Sequence, residues 1–180
     1  MIKYLWILAG ANGSGKSTFY RKYLKDLGLE FVNADEIAKS QNSGDTLEGS
    51  RAAQSEAHSK FHEMLNGHES FCYETVFSHE SKLDFIKEAK KKGFTVNLVY
   101  IHLEDPTLNL ARVHQRVSEG GHDVPEEKIL SRIPRTVENI KKALLIADYA
   151  DIYENSSDTQ SHSLQASIEN GRISHVTAPS

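Results

Sequence analysis

Short apolar runs alternate along this chain with longer stretches in which apolar residues recur at spacings of three and four. The runs fit strands and the longer stretches fit amphipathic helices, so the pattern predicts a mostly parallel sheet covered by helices on both faces. The first strand is predicted over Lys3 to Ala9, and a helix over Lys16 to about Leu27, with Gly28 as its C-cap. A short strand, Glu30 to Asn33, leads into Ala34-Asp35-Glu36, and a Ser/Gly-containing loop follows from Ser40 to Asp45. The next helix, about Thr46 to Asn66, puts Ala53, Ala57, Phe61 and Met64 on one face.

A third strand is expected over Ser70 to Tyr73, ending at Glu74-Thr75, then a helix from His79 to about Lys92 that stops at Gly93. Phe94 to Leu103 is the clearest strand. Asp105 and Pro106 suit the cap and first position of a helix reaching about Ser118, which breaks at Gly120-Gly121. From Pro125 a long helical pattern carries Ile129, Ile133, Val137, Ile140, Leu144 and Ala147, with Pro134 expected to kink or break it. Ala150 to Glu154 reads as a further strand. Leu164, Ala166 and Ile168 alternate toward the turn Asn170-Gly171, and Arg172 to Val176 returns, a hairpin at about 163–177.

At 180 residues and 38% hydrophobic content, the pattern fits one domain over 1–180 with a sizeable core. A net charge of −4 gives no global basic footprint, which disfavours broad nucleic-acid or membrane-surface binding. Cys72 is the single cysteine, so neither an intrachain disulfide nor a cysteine-based zinc site is expected, and a cytoplasmic setting fits. The N-terminal apolar run is too short for a signal peptide, and no stretch is long enough to cross a bilayer. The nine histidines are expected mostly at the surface.

The most informative stretch is Gly10-Ala11-Asn12-Gly13-Ser14-Gly15-Lys16-Ser17, followed by Thr18. This is the G-x-x-x-x-G-K-S spacing of a phosphate-binding P-loop, standing between a strand and a helix as that loop requires. Its glycines let the backbone curl so that successive N–H groups face phosphate oxygens. Lys16 would reach the β- and γ-phosphates, and the Ser17 hydroxyl would hold Mg²⁺. The alternative is a glycine-rich turn that happens to contain a lysine. The expected fold is therefore α/β, a three-layer P-loop nucleoside-triphosphate hydrolase/kinase fold, with ATP and Mg²⁺ as cofactors.

Two acids stand at strand ends, where ligands gather in open α/β sheets. Asp35 would lie near the γ-phosphate if the first two strands are neighbours, and could accept a proton from an attacking hydroxyl. It could equally cap the short helix that follows it. Glu74 could hold a substrate hydroxyl or be a solvated strand end. Arg112 and Arg116 share one helix face, Arg132 and Arg135 another, and the glycine-rich segment 120–125 joins them. Such a hairpin, about 112–135, could be a helical lid that brings guanidinium groups to phosphoryl oxygens, or an ordinary solvated basic face.

The P-loop, Asn33-Ala34-Asp35-Glu36-Ile37-Ala38, Tyr73-Glu74-Thr75-Val76-Phe77-Ser78 and Arg116-Val117-Ser118-Glu119-Gly120-Gly121-His122-Asp123-Val124-Pro125 occur in that order. In this, the chain from about Tyr4 to Asn155 resembles the zeta-toxin family of P-loop kinases, specifically its short bacterial members. The resemblance implies a fold like adenylate kinase and ATP-Mg²⁺-dependent phosphorylation of a small-molecule hydroxyl, in that family one on a UDP-activated amino sugar. It implies Asp35 as general base, Glu74 as a substrate contact, and Arg116 and Arg132 on the transferring phosphoryl group, with Arg135 a further candidate substrate contact. The stretch Asn155-Ser156-Ser157 would approach the adenine. An antitoxin protein is a partner that a single chain does not identify. Two readings compete: a nucleic-acid-end or nucleoside kinase, which in the first case needs a local basic groove, and a non-catalytic ATP-dependent switch, for which Asp35 and Glu74 would be incidental.

Overall fold

The computed structural model describes residues 2–41, 46–157 and 161–178, so the expected loop at residues 42–45 lies outside the described residues. Seven strands form one sheet in the order β2-β3-β1-β4-β5-β6-β7. They are β1 (Lys3–Ala9), β2 (Glu30–Val32), β3 (Phe71–Thr75), β4 (Phe94–His102), β5 (Tyr149–Glu154), β6 (Ser163–Glu169) and β7 (Arg172–Val176). The pairs through β5 are parallel, and β6 and β7 extend the sheet antiparallel through the expected hairpin. The helices are α1 (Lys16–Phe19), α2 (Ala34–Ser40), α3 (Leu47–Gly67), α4 (Ser81–Lys91), α5 (Pro106–Ser118) and α6 (Glu126–Leu144).

Period-two alternation in β1 divides the core between the two faces of the sheet. Leu5, Ile7 and Ala9 pack in a large cluster with Phe61 and Leu65 of α3, Phe85 and Ile86 of α4 and Ile140 of α6. Leu8 faces the other way, to Phe19 and Leu24 behind the P-loop. Val113, Val124 and Ile129 form a third, small cluster that ties α5 to α6, so the hairpin between them has its own core.

Three local expectations are corrected. The helix predicted over Lys16 to Leu27 is α-helical only to Phe19, then widens to a π-helical turn at Tyr20–Leu24 and tightens to a 3₁₀ turn at Lys25–Leu27. Of the kink or break expected at Pro134, the break does not occur: α6 runs through it from Glu126 to Leu144. Pro134 is exposed, and Leu130, whose carbonyl loses its donor, is 42% exposed, so water can take the place of the missing bond. Third, β2 is not the neighbour of β1: β3 lies between them. As expected, β3 ends at Glu74-Thr75, with Glu74 paired to Leu8 of β1.

Behind β3, the Lys82 amine donates to Tyr73 Oη at 2.9 Å and lies 4.2 Å above the Phe85 ring. Burial pulls Lys82 down to about 8. Between about 8 and the ordinary value of 10.5, the unfolded chain therefore binds more protons at this site than the folded one, and stability rises with pH. Relative to Lys82→Met, the wild-type protein is expected to gain on the order of 1 kcal/mol across that window. Urea unfolding at matched pH values reads the difference directly.

Candidate active site

The P-loop leaves β1 at Gly10 and turns into α1 at Lys16. Gly13 and Gly15 have φ of 78° and 100°, backbone geometry that L side chains rarely adopt. Space also forbids a side chain: a Cβ on Gly13 would lie 2.5 Å from the Asn109 carbonyl, and one on Gly15 would strike the Asn155 amide.

Those two asparagines brace the loop. Asn109, buried on α5, donates from Nδ2 to the Asn12 carbonyl at 2.7 Å. Asn155, buried just after β5, donates from Nδ2 to the Ser14 carbonyl at 2.9 Å. The backbone N–H of His162 donates to Asn155 Oδ1 at 3.0 Å and fixes that amide, while His162 Nε2 lies 3.2 Å from the Gly15 carbonyl. With loop carbonyls tied outward, the loop N–H groups are left to face an anion. Asn155→Ala leaves the buried Ser14 carbonyl without its donor, an expected cost of about 1–3 kcal/mol, read as a lower denaturant midpoint at unchanged slope. Asn109→Ala, whose bond to the Asn12 carbonyl is part-buried, is expected to cost less.

Lys16 is 7% exposed; its amine donates to the Ala11 carbonyl at 3.0 Å and lies 3.8 Å from Glu74 Oε1. Burial lowers Lys16 and raises Glu74, and their mutual attraction opposes both shifts. Glu74 is the hub of the site. Its Oε2 accepts from Ser17 Oγ at 2.9 Å and from Asn33 Nδ2 at 2.9 Å. Glu74 thus faces the P-loop lysine and serine. A hydroxyl and a carboxylate oxygen side by side are the hard donors that Mg²⁺ takes, so Ser17 and Glu74 fit that ion. Among the described residues there is no cluster of three or more His, Cys, Asp or Glu side chains that could hold a metal ion.

Asn33, not Asp35, caps α2: Asn33 Oδ1 accepts from the Asp35 N–H at 2.7 Å. The Asp35 carboxylate is left to pair with Arg116, whose Nη1 lies 3.2 Å from Oδ2. Arg116 Nη2 also donates to the His122 carbonyl at 2.9 Å, so the turn after α5 wraps the guanidinium, and Arg116 Nε is buried without a partner. Although β2 is one strand removed from β1, Asp35 still acts electrostatically on Lys16, as do Arg116 and Arg132.

Arg132 reaches the loop itself, with Nη1 donating to Asn12 Oδ1 at 3.3 Å. Burial lowers it, and Arg135 adds to that shift. Arg135 turns back along its own helix, its Nε donating to the Ser131 carbonyl at 3.0 Å. One turn further along α6, Thr136 donates to the Val76 carbonyl at 2.9 Å and Asn139 to the Phe77 carbonyl at 3.1 Å, docking α6 on the segment after β3. Arg112, Thr18, Gly15, Asn155, Ser157, Ser161 and His162 line an adjoining cavity of about 250 Å³.

Sequence reasoning missed Asn33, Asn109, Thr136 and Asn139, and gave Asn155 a different part. For Asn109, Thr136 and Asn139 the available signal was a polar residue of hydrogen-bonding type inside a helix, and for Asn33 its place as a cap residue ahead of α2. The histidines lie mostly at the surface as expected, His162 at 6% exposed being the buried exception.

Fold and loop together define a P-loop kinase-like domain. The chain belongs to the AAA domain family, whose pattern matches residues 5–136. An uncharacterised protein of Haemophilus influenzae is 34% identical over 137 residues, covering 72% of this chain and 97% of its own. Among solved structures, AvrRxo1-ORF1:-ORF2 with ATP aligns with a TM-score of 0.71 at 20% identity, over 96% of this chain and 60% of that one. The chain therefore spans about 60% of that protein's length. The PezAT toxin–antitoxin system of Streptococcus pneumoniae aligns at 0.68 and 18% identity, over 90% and 70%. Shikimate kinase from Acinetobacter baumannii with shikimate aligns at 0.53 and 18%, over 82% of each chain. No helix among the described residues is long and apolar enough to cross a membrane.

Proposed function

We propose that this protein is an ATP-dependent phosphotransferase of the zeta-toxin kind, transferring the γ-phosphoryl to a hydroxyl of a small-molecule acceptor, with a UDP-activated amino sugar the first acceptor to test. The observation that carries this reading is convergence: Lys16, Ser17, Glu74, Asp35, Arg116 and Arg132 come from five separate elements to the carboxyl ends of the parallel strands. A switch that only senses nucleotide also needs a metal-side acid such as Glu74 and cations on the phosphates, but it has no use for Asp35, a second carboxylate beside the loop that can take the proton of an acceptor hydroxyl.

The loop N–H groups and Lys16 bind the β- and γ-phosphates. The Ser17 hydroxyl and Glu74 would hold Mg²⁺, which would supply neutralisation of phosphate charge. Asp35 takes the proton of the acceptor hydroxyl as its oxygen attacks the γ-phosphorus and the bond to the β,γ-bridging oxygen breaks, releasing ADP. Arg116 and Arg132 stabilise the charge on the moving phosphoryl group. Catalysis of this kind needs mainly positioning and charge stabilisation. The resemblance also supports a protein antitoxin as partner, and the single cysteine, Cys72, fits a cytoplasmic setting.

Mass spectrometry of products from ATP and a panel of UDP-sugars, free sugars, nucleosides and oligonucleotides tests the reading. One small molecule gaining a phosphoryl mass, with ADP formed in step, is expected. Phosphorylation of oligonucleotide ends alone would move the chain to the competing class, and ATP loss with no phosphorylated acceptor would favour the switch.

A further inference from the structure

Away from the P-loop, α3 and α4 meet along a seam that carries two histidines. His58 and His62 stand four apart on α3, hence on one helix face. Their Nε2 atoms lie 3.4 Å from each other. That is long for a hydrogen bond. It is the edge of a tetrahedron, because two imidazoles at a metal–nitrogen distance of about 2.0–2.1 Å in tetrahedral geometry hold their nitrogens roughly 3.3–3.4 Å apart.

The rest of the arrangement fits the same chemistry. Glu88 of α4 places Oε2 3.3 Å from His62 Nδ1. An Nδ1–H donated to that carboxylate leaves the Nε2 lone pair of His62 turned toward His58. This carboxylate–histidine arrangement is the one that orients imidazole ligands on metals. Phe85 packs against both rings, with centroids 5.2 Å from His58 and 5.7 Å from His62, and so limits their rotation. Burial, His62 and Lys82 push the His58 imidazole below its ordinary value, which favours the neutral form that binds metal. His58 is exposed and His62 half-buried, so an ion can enter from solvent and keep water in its remaining positions.

We propose that His58 and His62, with Glu88 orienting His62, form a binding site for an imidazole-preferring divalent transition metal such as Zn²⁺, Ni²⁺ or Cu²⁺. Mg²⁺ and Ca²⁺ take oxygen ligands and are excluded from it. The site is separate from the phosphate loop and does not rest on the kinase reading.

Calorimetric titration of the untagged protein with Zn²⁺, against Mg²⁺ as control, tests the proposal. One equivalent of Zn²⁺ and no Mg²⁺ binding at this seam is expected. His58→Ala should weaken Zn²⁺ binding roughly tenfold or more, and Glu88→Gln by about 10- to 100-fold. Because His58 is exposed, its variant should keep the wild-type far-ultraviolet dichroism and melting curve. Wild-type protein that binds no Zn²⁺, or a folded His58→Ala variant that binds it as tightly as the wild type, overturns the site.

Discussion

Lys16→Ala is expected to abolish measurable phosphoryl transfer, a loss of roughly 10²–10³-fold or more. The amine is buried, and its neighbours in the structure, the Ala11 carbonyl and Glu74, hold it inside the loop where the β- and γ-phosphates would lie. The substitution has a second consequence. Glu74 would lose the cation that opposes its burial, and its carboxyl, already raised, would rise further. Part of any loss could therefore come from an uncompensated buried charge. The variant Lys16→Ala with Glu74→Gln isolates the stability part. It should recover thermal stability toward wild type, because the neutral amide leaves no buried charge unpaired. Turnover retained in Lys16→Ala, measured as phosphorylated acceptor and ADP formed per enzyme per unit time, would overturn the P-loop reading.

Arg116→Ala is expected to slow transfer by roughly 10²-fold or more, with Asp35→Asn falling by a similar factor. The two side chains are bonded to each other, Nη1 to Oδ2 at 3.2 Å, and both face the lysine of the loop. Arg116 must therefore share itself between Asp35, the His122 carbonyl and an incoming phosphoryl group. That coupling makes the double variant lose less than the product of the single losses. Lysine at position 116 should rescue poorly, because a point charge cannot span carboxylate and carbonyl together. Both variants should keep near-normal ATP affinity, since their contacts strengthen in the transition state. Rates under single-turnover conditions with nucleotide affinities measured in parallel make the comparison. Near-normal rates in both would return these residues to an ordinary surface ion pair.

The alternation of strand and helix was legible along the chain because periodicity is local: β1, β4 and the C-terminal hairpin are written in consecutive residues. The P-loop was legible for the same reason, since its glycines, lysine and serine are contiguous and their function is largely backbone geometry. So was the Asp105 cap with Pro106 beside it, which the structure retains. What tertiary structure alone decided is where distant side chains meet. Sheet order is non-local, and inserting β3 between β1 and β2 brings Glu74 to Ser17 and Asn33, the latter 41 positions away. From sequence, Glu74 was an acid at a strand end with an open choice of partners. Arg132 and Arg135 differ by less than one helical turn and read alike, yet one reaches Asn12 and the other returns to Ser131, because the docking of Thr136 and Asn139 fixes the rotation of α6. Asn109 and Asn155 brace the loop from 97 and 141 positions away. A local pattern can specify a phosphate cradle, but the carbonyls of that cradle are held by side chains that only packing brings to it.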